Sequence, residues 1–524
     1  MRKAGAMILA ALMALVGPCG ALASSQDAVT PDQAQALTQR RDRALLIGID
    51  AFVTKPSAYP SATNNVQAIR EVFEASATPF ASLVIPTEPV TSCEDLTRAI
   101  RSAFADAQEN DVSYLYISTH GLYDPVTGEA SLLLSDGWEE GSITPAQLEA
   151  AFEGIAGTKV LWLDACNSGA FIGKGLTRLP DELHFLGDEF KVITSSGALE
   201  ESWYWSADAA GDSQVSAREP QGGFYFTQAL SHGLSARHDY PADTNKDGSI
   251  TQNELYDYLL LNHAASTPQV YPQNDDFVVF RYDTPQPLPE GVDRSPISDV
   301  TFSGTILSAA SPSISIEFIA LRPVRVAYQI VYQRDGKWMF DQAQLIYDQA
   351  ERFTAFGDLP GAVSAGRKVR ALSLGELEAG SSGYVLVQLV TIDEGALTVH
   401  AGRVICVPPE GTEVSVSVAV DAAYTPGEGR ELSVFVAHSA PCALSVAVVD
   451  AQDQVLARLC HRQSTRPMQL DPEGTVLYWD GTLRDGQTVP AGTYYVRAEA
   501  IVNDTSVTAY SEAFEVLQPK GGSA

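Results

Sequence analysis

Two residues with side chains suited to covalent catalysis follow two apolar segments of the sequence. His120 comes after YLYIST, and Cys166 comes after VLWLDA. A cysteine thiolate is a strong nucleophile, and an imidazole beside it can take the thiol proton and return it to a leaving amine. Ligands of parallel sheets lie beyond the carboxyl ends of the strands, so both side chains are expected at one edge of such a sheet. The sequence therefore predicts nucleophilic catalysis by Cys166 with His120 as its base.

Small residues beside this pair predict the rest of the reaction centre. Gly121 follows His120, and a residue without a side chain lets the backbone come close to a substrate carbonyl. We expect the N–H groups of Gly121 and Cys166 to stabilise the oxyanion. Taken singly, His120 is also typical of a hydrogen-bonded histidine at a strand end, and Cys166 of a small buried residue. Their shared position after apolar segments favours catalysis.

The segments before these residues belong to an alternation of strands and helices between residues 42 and 284. Four apolar segments predict strands of a mostly parallel sheet that is buried on both faces, at 43–49, 113–119, 159–165 and 190–196. Four helical patterns lie at 64–75, 93–107, 144–152 and 224–234. This alternation predicts an α/β domain with helices on both faces of one sheet.

A proline-rich segment at 283–296 predicts a linker, and the sequence pattern changes after it. Short alternating apolar segments separated by turn residues predict two all-β sandwich domains, at 297–408 and 412–517. The segment VLYWDGTLRDGQTVPAGTYYVRAEA (476–500) resembles the last strands of the Ig-like domain of flagellar-hook capping proteins. Both domains are interpreted as spacers, stabilising modules or docking surfaces.

Four short motifs of the α/β part together resemble the caspase, metacaspase and clostripain superfamily. They are LLIGID (45–50), NNVQAI (64–69), STHG (118–121) and DACNSG (164–169), and the resemblance extends over residues 42–265. In caspases the histidine precedes the cysteine by about 50 residues, which agrees with the spacing of His120 and Cys166. The resemblance implies a caspase-like fold and a cysteine endopeptidase with a His–Cys dyad that acts on proteins or peptides.

The same resemblance implies a preference for basic residues. Asp164 matches the carboxylate with which metacaspases bind the residue before the scissile bond, so Arg or Lys is expected there through a charge-assisted contact. Caspases, which cut after Asp, carry an arginine after a Ser-Trp pair, whereas Tyr204 follows Ser202-Trp203 here. We expect Ser202 and Glu201 to line the pocket. The alternatives are an Asp164 that caps the next turn and a solvated Glu201.

The pattern departs from that of metacaspases at one position. Asn65 stands where the family has a second pocket carboxylate, and Asp50, after the first predicted strand, is expected either to replace it or to cap a turn. Members of the superfamily often activate by cutting the chain soon after the nucleophile. Lys174 and Arg178 lie there in a Gly-rich segment, so self-cleavage is expected after one of them.

The segment DTNKDGSITQNE at 243–254 matches the twelve-residue calcium loop of EF-hands. A helical pattern follows the loop, but none precedes it. The sequence predicts bound Ca²⁺ with a structural or activating role, and the alternative is an acidic turn without metal. The predicted ligands are Asp243, Asn245, Asp247, the carbonyl of Ser249 and the bidentate carboxylate of Glu254, with Gly248 at the sharp turn.

Residues 1–23 predict a secretory signal, because a basic start and an apolar segment precede the small residues of a cleavage site at 21–23. We therefore expect an exported protein, periplasmic or secreted, without a further membrane span. The net charge of −31 disfavours nucleic acid and anionic membranes as partners. Cys442 and Cys460 flank a predicted hairpin and are candidates for a disulfide.

The leading hypothesis from the sequence is an exported cysteine endopeptidase. One alternative is a catalytically silent caspase-like scaffold that carries Ig-like modules. Another is a calcium-dependent binding protein, which would account for residues 243–254 and the β half but leaves His120 and Cys166 unexplained.

Overall fold

The computed structural model describes residues 40–518 except 58–59, 177–179, 181, 207–221, 264, 284–293, 335–336, 352–354, 379–380, 394–395, 429–430, 466–473, 485 and 504. The predicted signal segment, Arg178 and most of the predicted linker lie outside these residues.

The first part of the chain alternates strands and helices, as its apolar segments predict. Its strands are β1 (Asp42–Gly48), β2 (Phe80–Val84), β3 (Val112–Ser118), β4 (Gly121–Tyr123), β5 (Ala130–Ser135), β6 (Glu140–Ile143), β7 (Thr158–Asp164), β8 (Phe190–Thr194), β9 (Tyr204–Ser206), β10 (Gly222–Phe224), β11 (Ser249–Thr251), β12 (Gln269–Tyr271) and β13 (Val278–Arg281). Its helices are α1 (Ser61–Glu74), α2 (Cys93–Ala103), α3 (Pro145–Ala151), α4 (Tyr225–Gly233) and α5 (Gln252–Asn262).

Six of these strands form one sheet in the order β12-β8-β7-β3-β1-β2. The strands from β2 to β8 run parallel, and only β12 is antiparallel to its neighbour. Every residue of β3 is buried, which explains why its centre, Tyr114 to Ile117, is a continuous apolar run rather than an alternation. The predicted α/β arrangement is confirmed.

Helices cover both faces of this sheet and create two hydrophobic cores. Leu115, Leu161 and their neighbours pack against α2 and α3 on one face. Tyr116, Trp162 and their neighbours pack against α1, α4 and α5 on the other. Adjacent residues of a strand point to opposite faces, so one apolar strand supplies both cores.

Helix α2 ends at Ala103, four residues before the predicted end at 107. Phe104 leaves the helix, is buried, and stacks on Phe152 beyond α3 with ring centroids 6.1 Å apart. Packing of this aromatic pair thus overrides the helical pattern of the sequence. The antiparallel sheet β4-β5-β6, which follows His120 directly, is not predicted by the sequence pattern either.

The second half of the chain contains strands and short 3-10 turns. Its strands are β14 (Ile297–Phe302), β15 (Ser313–Ala320), β16 (Val324–Arg334), β17 (Lys337–Trp338), β18 (Gln344–Ile346), β19 (Ala362–Val363), β20 (Gly366–Ser373), β21 (Gly383–Asp393), β22 (Ala396–Val407), β23 (Val416–Val420), β24 (Ala423–Tyr424), β25 (Leu432–His438), β26 (Ala443–Val449), β27 (Val455–Ser464), β28 (Gly474–Trp479), β29 (Gly492–Val502), β30 (Thr505–Tyr510) and β31 (Phe514–Val516).

These strands form two pairs of facing sheets. The first pair is β14-β15-β20 with β17-β16-β21-β22, and the second is β23-β25-β28 with β24-β31-β29-β26-β27. Each pair shares one hydrophobic core, to which both of its sheets contribute. The predicted all-β arrangement of this half is confirmed.

The predicted disulfide between Cys442 and Cys460 is wrong. In the antiparallel pair of β26 and β27, Cys460 lies opposite Val446, whereas the N–H of Cys442 donates to Thr465 Oγ1 at 3.1 Å. The two cysteines are therefore out of register along the hairpin. No described helix is both long enough and apolar enough to span a bilayer.

Candidate active site

The candidate residues Asp50, His120 and Cys166 occupy equivalent positions after three adjacent strands. Gly48 of β1, Ser118 of β3 and Asp164 of β7 are aligned in the sheet. Asp50, His120 and Cys166 each lie two residues beyond an aligned residue, at the carboxyl edge of the sheet. Because neighbouring strands are about 4.8 Å apart, this register brings His120 and Cys166 to adjacent positions. It places Asp50 on the side of His120 away from Cys166.

Gly121 lies directly against the backbone of the nucleophile. A Cβ atom at Gly121 would fall 1.8 Å from the carbonyl oxygen of Cys166, which only a residue without a side chain avoids. Beyond Cys166 the chain turns sharply, with Asn167 in the left-handed region at φ 58° and a 3-10 helix at Ser168–Ile172. The segments after β3 and β7 are thus in backbone contact.

The thiol of Cys166 is held between two backbone groups of Ser202. The N–H of Ser202 donates to Sγ at 3.3 Å, and the thiol donates to the carbonyl of Ser202 at 3.4 Å. Burial raises the pKa of the Cys166 thiol to about 11, and the negative charge of Glu201 contributes in the same direction. The thiol is therefore protonated at neutral pH in this geometry.

His120 faces a loop between β1 and α1. Its Nε2 atom lies 2.9 Å from the carbonyl oxygen of Pro56, and its ring packs on Phe52 with centroids 4.4 Å apart. Burial lowers the pKa of His120, and the carbonyl of Pro56 opposes part of that shift. Glu140, at the start of β6, anchors this loop by accepting from the N–H of Val53 at 2.8 Å. The imidazole is thus neutral at neutral pH.

Asp164 is enclosed beneath the nucleophile. Its side chain is fully buried and accepts hydrogen bonds from Ser202 Oγ at 3.3 Å and Thr227 Oγ1 at 2.6 Å. Burial raises the pKa of this carboxyl to about 7, although both hydroxyls lower it. Among the described residues, no Lys, Arg or His forms an ion pair with it. Thr227, on α4, was missed by sequence reasoning because nothing in its own segment marks it.

Comparison with known families identifies the α/β part of the chain. The family model of the caspase domain matches residues 41–252. Residues 41–252 match the caspase family, and this part of the chain is called the caspase domain below. The predicted resemblance is confirmed for this part, and a caspase/metacaspase-like peptidase relationship is supported.

Three solved structures, each of a protein from a different organism, resemble parts of the chain. Latent dimeric PorU from Porphyromonas gingivalis matches with 16% identity over 48% of this chain and 22% of that chain, with a TM-score of 0.18. A Geobacter sulfurreducens protein matches with 14% identity over 49% of this chain and 98% of that chain, with a TM-score of 0.30. Caspase-1 from Spodoptera frugiperda matches with 16% identity over 37% and 71%, with a TM-score of 0.25. The similarity therefore spans about a fifth of the PorU chain. No curated protein matches the sequence.

Asp50 has a structural role in the caspase domain. Its carboxylate accepts from the N–H groups of Ala62 and Thr63, at 2.6 and 2.9 Å, and so caps the start of α1. Asn65 is likewise engaged: it donates to Ser118 Oγ at 3.0 Å and accepts from the N–H of Phe224 at 3.0 Å. Of the two roles expected for Asp50, the structure favours the cap.

The predicted pocket residues have different surroundings. Ser202 contacts both Cys166 and Asp164, whereas Glu201 is exposed and acts on the thiol through its charge. Sequence reasoning also missed Phe52 and Pro56, which cover His120 from a loop without a motif.

The loop at 243–254 is held by hydrogen bonds from its own backbone N–H groups to its polar side chains. Asp243 accepts from the N–H of Gly248 at 3.0 Å, and Asn245 accepts from that of Asp247 at 2.9 Å. Gly248 adopts φ +88°, which agrees with its expected place at the sharp turn. Ser249 opens β11, and its N–H donates to Asp247 Oδ1 at 2.8 Å.

Glu254 completes the loop from the first turn of α5. Its carboxylate accepts from the N–H of Thr251 at 3.0 Å and from the hydroxyl of Thr244, next to Asp243, at 3.0 Å. In the described part of the chain, no three His, Cys, Asp or Glu side chains converge closely enough to hold a metal ion. The three predicted carboxylate ligands, Asp243, Asp247 and Glu254, therefore do not converge on one point. The other predicted donors are the amide oxygen of Asn245 and the carbonyl of Ser249, and oxygen atoms of these kinds are the ligands that Ca²⁺ prefers.

Proposed function

We propose that the protein is an exported cysteine endopeptidase that cuts polypeptides after Arg or Lys, with Cys166 as nucleophile and His120 as base. The observation that carries this proposal is the register of the sheet, in which both residues stand two positions beyond aligned residues of adjacent strands. Proximity of a thiol and an imidazole at one sheet edge is the arrangement that nucleophilic catalysis requires.

The reaction follows from the chemistry of this pair. His120 takes the thiol proton, the Cys166 sulfur forms a bond to the scissile carbonyl carbon, and the C–N bond breaks as the imidazolium protonates the leaving amine. Water, deprotonated by His120, then attacks the thioester carbon and releases the carboxylic acid with regeneration of the thiol. The N–H groups of Gly121 and Cys166 are the proposed donors to the oxyanion.

Substrate binding must change the resting geometry for this reaction to begin. His120 Nε2 lies at hydrogen-bond distance from the Pro56 carbonyl, and the Cys166 thiol is hydrogen-bonded to Ser202. A movement of the loop that carries Phe52 and Pro56 would break the contact of His120 with Pro56 and allow the imidazole to turn toward the Cys166 sulfur. The proposed enzyme is therefore activated by its substrate or by a preceding rearrangement.

The preference for Arg or Lys is supported by the surroundings of Asp164. Its carboxylate is held by the hydroxyls of Ser202 and Thr227 and lacks a protein cation among the described residues. The ionised form of a buried carboxyl that is held only by neutral groups is favoured when a cation comes close. A guanidinium or ammonium group of the substrate would supply that cation and would lower the pKa of Asp164.

A peptide library tests the proposal directly. Purified protein is incubated with peptides that vary at the residue before the scissile bond, with Cys166→Ala as the matched inactive control. We expect cleavage after Arg and Lys by the native chain and none by the variant. An absence of hydrolysis in both proteins would favour the silent caspase-like scaffold, which the neutral resting thiol also accommodates.

We also propose that residues 243–254 bind Ca²⁺. Asp243, Asn245, Asp247, the carbonyl of Ser249 and Glu254 would hold the ion, and the ion would neutralise the loop and fix the start of α5. The test is a calorimetric titration with Ca²⁺ alone and a melting curve with and without it. We expect binding heat and a higher Tm for the native chain, and neither for Asp243→Ala.

Glu153→Gln is the matched control for this titration, because Glu153 is an exposed carboxylate after α3 and outside the loop. The control variant should bind Ca²⁺ as the native chain does. Native protein that shows no heat and an unchanged Tm would contradict the calcium proposal and leave the peptidase proposal untouched.

A further inference from the structure

The chain segment that follows the nucleophile is held by the last β domain. The side chain of Lys174 is 4% exposed, and its Nζ atom lies 3.0 Å from Glu431 Oε1 and 4.6 Å from the ring centroid of Tyr478. The N–H of Gly175 donates to the hydroxyl of Tyr478 at 2.6 Å. Residues 412–517 contain β23–β31 and are called the C-terminal β domain below. This domain therefore contacts the caspase domain at the Lys174–Gly175 turn.

The same face of the C-terminal β domain holds a second segment of the α/β part of the chain, between β12 and β13. Glu431 Oε1 also accepts from the N–H of Gln273 at 3.2 Å, and Asp480 accepts from the side-chain amide of Asn274 at 2.8 Å. One carboxylate thus joins Lys174 and Gln273, which are distant in sequence. Loss of Glu431 would release both contacts together.

A short series of hydrogen bonds connects the Lys174–Gly175 turn to Cys166. The N–H of Lys174 donates to Gly169 at 2.8 Å, and the carbonyl of Lys174 accepts from Ala198 at 2.9 Å. The Asn167 side chain in turn donates to the carbonyl of Ala198 at 2.8 Å. Asn167 is bonded covalently to Cys166, so the turn and the nucleophile share one scaffold.

The contact between the C-terminal β domain and the Lys174–Gly175 turn depends on a buried charge pair and on a tight turn. Burial lowers the pKa of Lys174, and Glu431 raises it again, so the ammonium form relies on this carboxylate. Removing one partner of a buried pair leaves an uncompensated charge, which is strongly destabilising. Gly175 has φ +79°, and a Cβ atom there would lie 2.5 Å from the nitrogen of Ala198. A residue with a side chain at position 175 would therefore be strained and would clash with the backbone of Ala198.

We propose that the C-terminal β domain is an intramolecular clamp on the Lys174–Gly175 turn, with Glu431 and Tyr478 as positioning residues for the Cys166 segment. The clamp has two consequences. It shields the peptide bond after Lys174, so self-cleavage at this expected position requires the domain to undock. It also fixes Asn167 and thereby the orientation of the Cys166 thiol. The second consequence rests on the proposed function of Cys166, whereas the first does not.

Limited trypsin digestion tests the shielding, because trypsin cuts after lysine. Full-length Cys166→Ala protein, which excludes self-cleavage, is compared with the same protein carrying Glu431→Gln. We expect cleavage after Lys174, identified by mass spectrometry, to be at least about tenfold faster with Glu431→Gln. Asp453→Asn is the matched control, since Asp453 pairs with Arg497 on the same domain in a half-exposed salt bridge. Equal rates for Glu431→Gln and Asp453→Asn would overturn the proposal.

Alkylation of Cys166 tests the positioning role without any need for peptidase activity. Iodoacetamide labelling of the Cys166 peptide is followed over pH in the native chain, Glu431→Gln and Tyr478→Phe. We expect the labelling rate of each variant to differ from that of the native chain by at least about threefold. The native pH profile should return when Lys174→Glu and Glu431→Lys are combined in one chain. Tyr478→Phe removes one hydroxyl only, so the test remains decisive if Glu431→Gln does not fold.

The outcomes separate the clamp from the proposed function. Unchanged labelling in both variants would overturn the positioning role, even if peptides are cleaved. Changed labelling and faster trypsin cleavage would support the clamp, even if the native chain cleaves no peptide.

Discussion

At the residue scale, the candidate site combines an uncharged thiol with a carboxyl that is only about half ionised at neutral pH. Burial raises the pKa of Cys166 to about 11 and that of Asp164 to about 7. Ser202 joins them, because its backbone contacts the sulfur and its hydroxyl donates to the carboxylate. A substrate cation that binds Asp164 and ionises it fully would therefore lie close to the Cys166 thiol.

The Asp164→Asn variant should lose activity and gain stability. The pKa of Asp164 is raised in the folded chain, so its contribution to stability is present at low pH and is lost as pH rises through about 7. The variant escapes this loss, and we expect its Tm to exceed that of the native chain by more at pH 8 than at pH 5. Cleavage after Arg should fall by about 100-fold or more, in line with a lost charge-assisted contact. Melting curves at both pH values and peptide kinetics check this.

The pH dependence of substrate affinity should report the same carboxyl. If the substrate cation binds the ionised Asp164, KM for an Arg peptide rises as pH falls below about 7. A peptide with a neutral residue at that position serves as control, and its KM should not follow this carboxyl. A KM for the Arg peptide that is constant from pH 8 to pH 5 would contradict the assigned pocket.

The resting thiol should react slowly at neutral pH. Since the thiolate is the reactive form, alkylation of Cys166 is expected to accelerate about tenfold per pH unit between pH 7 and 10. Glu201→Gln removes a charge that raises the pKa of the thiol and should increase the rate at pH 8. Glu129→Gln, an exposed carboxylate on the turn before β5, is the control. A plateau in the native rate by pH 8 would show that the thiol ionises more easily than the geometry implies.

At the element scale, the site depends on the junction between the segments that follow β3 and β7. Gly121 opens β4 while its backbone lies against the Cys166 carbonyl, so the small β4-β5-β6 sheet and the nucleophile turn share one contact. The loop anchored by Glu140 then covers His120 from the other side. The segments that follow β3 and β7 and the loop anchored by Glu140, and not the large sheet alone, therefore define the geometry of His120 and Cys166.

Replacing Gly121 with alanine should disrupt this junction. The new Cβ would fall 1.8 Å from backbone oxygen, which cannot move without shifting Cys166. We expect peptide hydrolysis to fall by about 100-fold or more, as a displacement of about 1 Å at a reactive centre can cause. Gly375→Ala is the matched control, since a Cβ there meets no atom within 4 Å. Equal activity of both variants would contradict the proposed junction.

At the scale of the whole molecule, the caspase domain is in contact with both β domains. The C-terminal β domain holds the Lys174–Gly175 turn, and the first β domain meets the caspase domain at three partly buried histidines. His232 stacks on His238 with ring centroids 4.1 Å apart, and His400 of β22 lies 6.4 Å from His238. His400 is fixed by Ser295 Oγ at 3.1 Å and Thr391 Oγ1 at 2.7 Å.

Acid should weaken this histidine contact. Burial lowers the pKa of His232 to about 4 and that of His400 to about 3, and the charge of Arg237 adds to both effects. Their stabilising contribution is therefore present above about pH 6.5 and is lost as pH falls toward 4. We expect the native Tm to drop over this range, and His400→Gln to lessen the drop. His461→Gln, at an exposed position, is the control and should behave as the native chain.

Sequence by itself determined the elements that carry the site. Continuous apolar segments of the right length can be buried only between two helical layers, so β1, β3, β7 and β8 and the placement of His120 and Cys166 after two of them were predictable. The tertiary structure alone decided which distant groups surround them. Thr227 reaches Asp164, Pro56 reaches His120 and Glu431 reaches Lys174 from segments whose own patterns carry no signal. Periodicity records which face of an element is buried, whereas the partner of a polar group depends on how separate elements pack.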